Sequence, residues 1–176
     1  MSIPTPHGFV LLLVFAALIA VGICDLRFRK IPNGLIAAIA ATGILHALVA
    51  GGPRAVVASV LGAIAGLALL AWPFSRGFLG GGDVKFLAAL GAWIGVVGVL
   101  RALLVGSLLG GVLSLVFLVR LTRKERTDVG VALSSFARSG DLAVPAPEEL
   151  SAARGIPYAV ALAAGGAWVL YLGVGS

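Results

Sequence analysis

Two aspartates stand apart from the other acidic residues of this 176-residue chain. Asp25 ends one apolar segment, and Asp83 begins another directly after Gly80-Gly81-Gly82. Two carboxylates that approach one another cannot both ionise easily, so one of them keeps its proton. Such a pair can hydrolyse a peptide bond without a metal. The ionised member takes a proton from water, and the protonated member donates its proton to the carbonyl oxygen.

The composition of the chain indicates an integral membrane protein. Hydrophobic residues make up 60% of the sequence, charged residues make up 11%, and the mean hydropathy is +1.12. A soluble domain has about 45–50% apolar and about 25% charged residues, so a water-soluble globule is excluded. The single cysteine excludes a disulfide scaffold, and the apolar content excludes disorder. We therefore predict an all-α, polytopic membrane protein with one domain.

Six segments are apolar and long enough to cross a bilayer as helices, which takes about 17–25 residues. They are residues 8–24, 34–50, 55–74, 84–100, 102–119 and 156–174. Between the fourth and fifth segments only Arg101 interrupts the apolar run. As one helix, residues 84–119 would be about 54 Å long at 1.5 Å per residue, against a hydrocarbon core of about 30 Å. We therefore predict a break near Gly95–Arg101.

The basic residues predict the orientation of these segments. With six spans, 11 of the 13 Lys and Arg residues fall on one side, and the other side holds only Arg54 and Arg101. By the positive-inside rule the basic side is cytoplasmic, which places both termini outside and both aspartates at the cytoplasmic face. The net charge of +6 is thereby explained by topology and contact with anionic lipid, and nucleic acid is not an expected partner.

Residues 120–155 form the longest polar stretch, and we interpret them as a mobile cytoplasmic loop. Three pairs of glycines at helical spacing predict close contacts between helices. These pairs are Gly62 with Gly66, Gly91 with Gly95, and Gly106 with Gly110.

Other catalytic chemistries find little support in the residue types present. The histidines are His7 and His46, and with the single cysteine, Cys24, they make no credible metal or cofactor site. A pair of His46 with Ser59 is conceivable, but no acid on that side would orient the histidine. Cys24 is interpreted as a small buried thiol.

Structural roles for the two aspartates are the main alternative. Asp83 could simply cap the helix that follows it, and Asp25 could pair with Arg27 or Arg29. The three glycines favour a functional site, because they permit unusual backbone angles and close approach by another chain. Such a turn could hold an extended substrate by backbone hydrogen bonds.

Two further features flank the aspartates. Ile31-Pro32-Asn33 predicts an extended turn followed by an Asn cap on the next helix. Lys85 could hold a nearby acidic group or a lipid phosphate, or it could be an ordinary cation at the membrane interface.

Three blocks of the sequence resemble the type IV prepilin peptidases, which are membrane aspartic proteases with a Gly-x-Gly-Asp motif. The blocks are Asp25–Asn33, with its Asp-x₅-Ile-Pro-Asn pattern, residues 80–93, and residues 156–165, which are similar to the family's closing helix. The short glycine motif alone is weakly specific, whereas its combination with the first block is strongly specific.

The resemblance implies an enzyme that cuts the basic leader from a prepilin or pseudopilin. The cut lies just before the pilin's apolar helix, at the cytoplasmic face of the bacterial inner membrane. The resemblance assigns the catalytic roles to Asp25 and Asp83. It assigns motif and substrate-positioning roles to Gly80, Gly82, Lys85, Ile31, Pro32 and Asn33.

The chain departs from the larger members of this family in one respect. Those members also methylate the new N-terminus and carry an extra domain with paired cysteines, whereas this chain has no Cys-x-x-Cys. We therefore expect cleavage without methylation, as in the short members that serve tight-adherence (Flp-type) pili. The rival hypotheses are a catalytically inactive pilus-assembly scaffold and a small proton-coupled transporter, although a transporter more often places ionisable groups near mid-membrane.

Overall fold

A computed structural model describes residues 6–28, 30–76, 79–120, 134 and 158–174. Four helices make up nearly all of this part of the chain: α1 (Pro6–Phe28), α2 (Asn33–Ser75), α3 (Gly81–Arg120) and α4 (Tyr158–Val174). The prediction of an all-α fold is confirmed for these residues. Apart from Arg120 and Ser134, the predicted loop 120–155 lies outside the described residues.

The chain divides into two compact units, and every contact discussed below lies within the first. This unit contains Met1–Leu109 and Pro157–Ser176, and the second contains Gly110–Ile156.

The long helix α2 folds back on itself at Gly52. This residue has φ 66° and ψ −160°, a conformation that glycine adopts without steric cost. Gly43 lies against Ala92, and Ser59 also contacts Ala92 by a hydrogen bond. In a straight helix Gly43 and Ser59 would be about 24 Å apart, so their shared neighbour requires a reversal. We call residues 33–51 α2a and residues 53–75 α2b.

Helix α3 reverses in the same way at Gly95, where φ is 65°. Leu90 packs against Gly166 of α4, and Ala102 packs against the adjacent Gly165. A straight helix would separate Leu90 and Ala102 by about 18 Å. The predicted break near Gly95–Arg101 is therefore confirmed, and it falls at Gly95. We call residues 81–94 α3a and residues 96–120 α3b.

Two of the described helices have the length and apolar composition of membrane spans. Among the described residues, Asn33–Ser75 and Gly81–Val116 are long and apolar enough to cross one, and Tyr158–Leu172 is apolar but shorter. The number of crossings predicted from the sequence stays a prediction.

Helix α3a is the centre of the core. Phe86, Leu87 and Leu90 are fully buried, and neighbouring helices enclose them. Glycines allow this enclosure, because a methyl group at Gly62 or at Gly91 would overlap the carbonyl oxygen of the other. The predicted helix contacts are confirmed here.

Two further glycines of these pairs, Gly66 and Gly106, also make close contacts with neighbouring helices. Gly66 lies against the backbone of Leu87, and Gly106 lies against Ala161 and Leu162 of α4. Small residues thus bring α2b and α3b close to their partners, as is usual for membrane helices.

Polar side chains attach both halves of α2 to α3a. The Ser59 hydroxyl donates to the Ala92 carbonyl at 2.6 Å, and the Trp93 indole N–H donates to the Ile39 carbonyl at 2.8 Å. His46 stacks on Trp93, with the ring centroids 5.1 Å apart. The Ser59 hydroxyl thus bonds to a backbone carbonyl, and the His46 ring stacks on an indole.

Replacing Gly91 by alanine should destabilise the protein by about 1–3 kcal/mol, the usual cost of overpacking. The added Cβ would meet the backbone of Gly62, so α2b and α3a would have to separate. Thermal unfolding in detergent measures the effect. Gly22→Ala is the matched control, because nothing lies within 4 Å of a Cβ at that position, and alanine there should be neutral or slightly stabilising. Equal unfolding temperatures for both variants would contradict the proposed contact.

Candidate active site

The first block of the site lies where α1 ends and α2 begins. Proline disfavours a helical conformation in the residue before it, and the chain is non-helical at Ile31. Pro32 is extended, with φ −60° and ψ 129°. Its carbonyl accepts hydrogen bonds from the backbone N–H groups of Leu35 and Ile36 at 3.0 and 3.2 Å. The turn therefore leads directly into α2, which begins eight residues after Asp25.

The predicted Asn33 cap is wrong. Pro32 occupies the N-cap position, where no side chain caps the helix by a hydrogen bond, and Asn33 is the first residue of α2. The Asn33 side chain instead reaches another helix, because its Oδ1 accepts a hydrogen bond from the Lys85 ammonium at 3.4 Å.

The second block lies at the start of α3a. The helix begins at Gly81, so Asp83 lies inside its first turn and its backbone N–H donates to the Gly80 carbonyl at 3.1 Å. Asp83 is therefore the third residue of the helix and not its N-cap residue. Its carboxylate accepts a hydrogen bond from the Gly80 backbone, so it also stabilises the start of the helix. A negative charge is favourable near a helix N-terminus, so this position suits an acid.

The two blocks meet around a cavity of about 350 Å³. Its lining contains acidic, basic, amide and apolar groups. These belong to Asp25, Lys30, Ile31, Asn33, Gly80, Gly81, Gly82, Asp83 and Lys85. Asp25 and Asp83 are half-buried and interact electrostatically. The prediction that folding brings these carboxylates together at one end of the helices is confirmed.

Most residues singled out from the sequence contribute to this cavity. Pro32 is the exception, because it shapes the turn without lining the cavity. Gly82 packs on Ile31. A Cβ atom at Gly82 would lie 3.7 Å from the isoleucine Cδ1, an ordinary van der Waals distance. Sequence reasoning gives no site role to Lys30, although it lies inside the first block and lines the cavity.

The cavity also contains two cationic groups. Lys85 bonds to the neutral amide of Asn33, a partner different from the acidic group or lipid phosphate considered from the sequence. Lys30 lines the same cavity and is exposed. Two carboxylates and two ammonium groups therefore share one small, partly open space.

The chemistry available here is that of the carboxylate pair. Within the described residues, no group of three or more His, Cys, Asp or Glu side chains comes together. Cys24, next to Asp25, is a free thiol that is half-buried, whereas the sequence predicts a buried one. Arg29, one of the predicted partners of Asp25, lies outside the described residues.

Comparison with known proteins places the chain in a family. A sequence model of the type IV leader peptidase family matches residues 12–115, a range that includes both aspartates. A prepilin leader peptidase/N-methyltransferase of Xanthomonas campestris pv. campestris is 30% identical over 130 residues, covering 70% of this chain and 45% of that protein. A protein of the same name from Pectobacterium carotovorum subsp. carotovorum is 34% identical over 136 residues, covering 73% and 48%.

The match concerns only part of these relatives. The chain spans about half the length of the curated proteins it matches, and no solved structure matches it. The family model nevertheless covers more than half of the chain, including both blocks of the cavity. The chain therefore belongs to the type IV leader peptidase family.

Proposed function

We propose that this protein is an aspartic endopeptidase that removes the leader peptide of type IV prepilins or pseudopilins. One observation carries the proposal. Asp25 and Asp83 are 58 residues apart in the sequence, yet they line one cavity at the same end of the helices. Family membership supports prepilins as the substrate class, because the relatives that the chain matches are called prepilin leader peptidases.

The hydrolysis proceeds by proton transfers between water, the carboxylates and the scissile peptide bond. The ionised carboxylate accepts a proton from a water molecule, whose oxygen bonds to the peptide carbonyl carbon. The protonated carboxyl donates its proton to the carbonyl oxygen, which gives a tetrahedral diol. The diol then collapses, the C–N bond breaks, and the leaving nitrogen receives a proton. The products are a new carboxyl terminus and a new amino terminus.

We place the cavity at the cytoplasmic face of the bacterial inner membrane, in a chain that crosses the membrane six times. The reversals at Gly52 and Gly95 divide the two long helices into four shorter ones. The half α2a, for example, is about 28 Å long, close to the hydrocarbon thickness of about 30 Å. The excess of Lys and Arg that the sequence predicts on the side of both aspartates supports the orientation.

We further propose that the enzyme cleaves without methylating, as expected for the tight-adherence (Flp-type) group. The matched relatives are named as N-methyltransferases as well as peptidases. The sequence of this chain has one cysteine, so it offers no cysteine pair of the kind that the resemblance associates with the methylating members.

Neutralising either aspartate should stop processing. Asp25→Asn and Asp83→Asn keep the size of each side chain but remove a proton donor and acceptor from the pair, so we expect at least a 100-fold loss, the lower end for general acid–base catalysis. Co-expression with a candidate prepilin, followed by mass spectrometry of the pilin, measures cleavage and its position. Membrane insertion of each variant is the control.

The same experiment separates the rival functions. Normal processing by both variants would contradict the catalytic assignment and favour an inactive assembly scaffold. Solute or ion flux in liposomes that is lost in the same variants, without cleavage by the wild type, would favour a transporter.

The Asn33–Lys85 hydrogen bond should position Asp83, because it ties the start of α2a to the first turns of α3a. Asn33→Leu and Lys85→Met should each lower kcat about tenfold, equivalent to about 1.4 kcal/mol, with little change in KM. The double variant should lose no more than either single variant, since both remove one interaction. Lys30→Met removes a charge from the same cavity and is the matched control. An equal loss for this control would show that charge, and not the bond, is responsible.

The released pilin should carry an unmodified N-terminus. Mass spectrometry of the processed product should give the mass of the free amine, and co-expression of the same prepilin with a methylating relative provides the reference mass. A methylated product from this enzyme alone would overturn the subtype proposal but leave the peptidase proposal intact.

A further inference from the structure

A second concave surface lies beside the active-site cavity, between α2b and α3a. It has a volume of about 490 Å³ and is almost entirely apolar. Its lining residues, which define the α2b groove, are Ile64, Leu67, Ala68, Ala71, Phe74, Gly81, Val84 and Lys85.

The α2b groove is continuous with the cavity that holds the aspartates. Gly81 and Lys85 line both spaces. A peptide bound beside Gly80–Gly82 can therefore pass from the aspartate cavity into the α2b groove. From Phe74 to Ile64 the groove follows α2b for about 15 Å, away from the polar cavity. This length is about half the thickness of the hydrocarbon core.

The shape of the groove suits a helix. Residues 64, 67, 68, 71 and 74 of α2b have the spacing that places side chains on one face. Ala68 and Ala71 form a notch between the larger side chains of Leu67 and Phe74, which are 45% and 48% exposed. Small residues at such positions let the backbone of another membrane helix approach closely.

We propose that the α2b groove binds the apolar segment of the substrate that follows the cleavage site. This inference rests on the proposed function. The part of the substrate that follows the cleavage site must lie on a surface continuous with the cavity. The α2b groove is such a surface. Backbone polar groups must be satisfied internally in a bilayer, so the segment lies in the groove as a helix. It becomes extended only at Gly80–Gly82, where the scissile bond is presented to the carboxylates.

A second apolar groove, between α1 and α2a, does not share this continuity. Val14, Leu35, His46 and Trp93 are among its lining residues, and its volume is also about 490 Å³. In the part of the chain that the structure describes, no residue lines both this second groove and the aspartate cavity. Apolar character and volume therefore do not distinguish the two grooves, whereas connection to the cavity does.

Cysteine crosslinking tests the proposed occupant directly. The background carries Cys24→Ala, which removes the native thiol, and Asp83→Asn, which keeps the substrate intact. With copper phenanthroline added as the oxidant, Ala71→Cys in this background should form a disulfide with a prepilin bearing one cysteine in the first turns of its apolar segment. Ala58→Cys, exposed on α2b but outside the groove, is the matched control and should give at least tenfold less crosslink.

A cleavage assay provides an independent measurement. Ala71→Phe fills the notch and should raise KM for the full-length prepilin at least tenfold. The same variant should cut a short water-soluble peptide spanning the cleavage site at the wild-type rate, which also shows that the variant is folded. Ala58→Phe should leave the KM for the full-length prepilin and the cleavage rate of the short peptide unchanged.

The outcomes separate this inference from the proposed function. Equal crosslinking at positions 58 and 71, or a disulfide between two copies of the peptidase at Ala71→Cys in place of the prepilin, would overturn the groove assignment. Unchanged KM for the full-length prepilin with Ala71→Phe would also overturn it, while cleavage lost in Asp25→Asn would still support the peptidase. Failure of the wild type to cut any prepilin would instead contradict the proposed function.

Discussion

The close approach of α2b and α3a at Gly62 and Gly91 is the contact on which the arrangement of the site depends. It allows neighbouring helices to enclose α3a, whose side chains Phe86 and Leu87 are fully buried. A helix enclosed in this way has little freedom to rotate or slide. Asp83, in its first turn, is therefore positioned by helix packing and not by a loop, which is the more accurate way to hold a functional group.

The large-scale features of the fold follow from constraints that the sequence shows directly. The break at Gly95 could be predicted because a continuous helix would exceed the bilayer thickness. The meeting of Asp25 and Asp83 could be predicted because Asp25 ends one apolar segment and Asp83 begins another, at ends that the predicted topology places on the same side. The second predicted reversal, between the segments 34–50 and 55–74, corresponds to Gly52, where glycine conformation and the following Pro53 allow the turn.

Individual side-chain contacts were harder to predict, because their partners are distant or have no side-chain signature. Asparagine has a strong local preference to cap a helix. The Asn33 side chain instead accepts a hydrogen bond from Lys85, which is 52 residues away in the sequence. His46 and Ser59 looked like a conceivable catalytic pair. Their actual partners are the Trp93 ring and the Ala92 carbonyl, and nothing in a linear sequence marks one backbone carbonyl among many.

Helix α4 contacts both of the helices that carry the two carboxylates. It packs against α1, which carries Asp25, and Gly166 packs against Leu90 of α3a, the helix that carries Asp83. The spacing between the two acids thus depends on a helix that contributes no residue to the cavity. A larger side chain at a small residue of α4 such as Gly166 would therefore change the distance between the two carboxylates while leaving both of them in place.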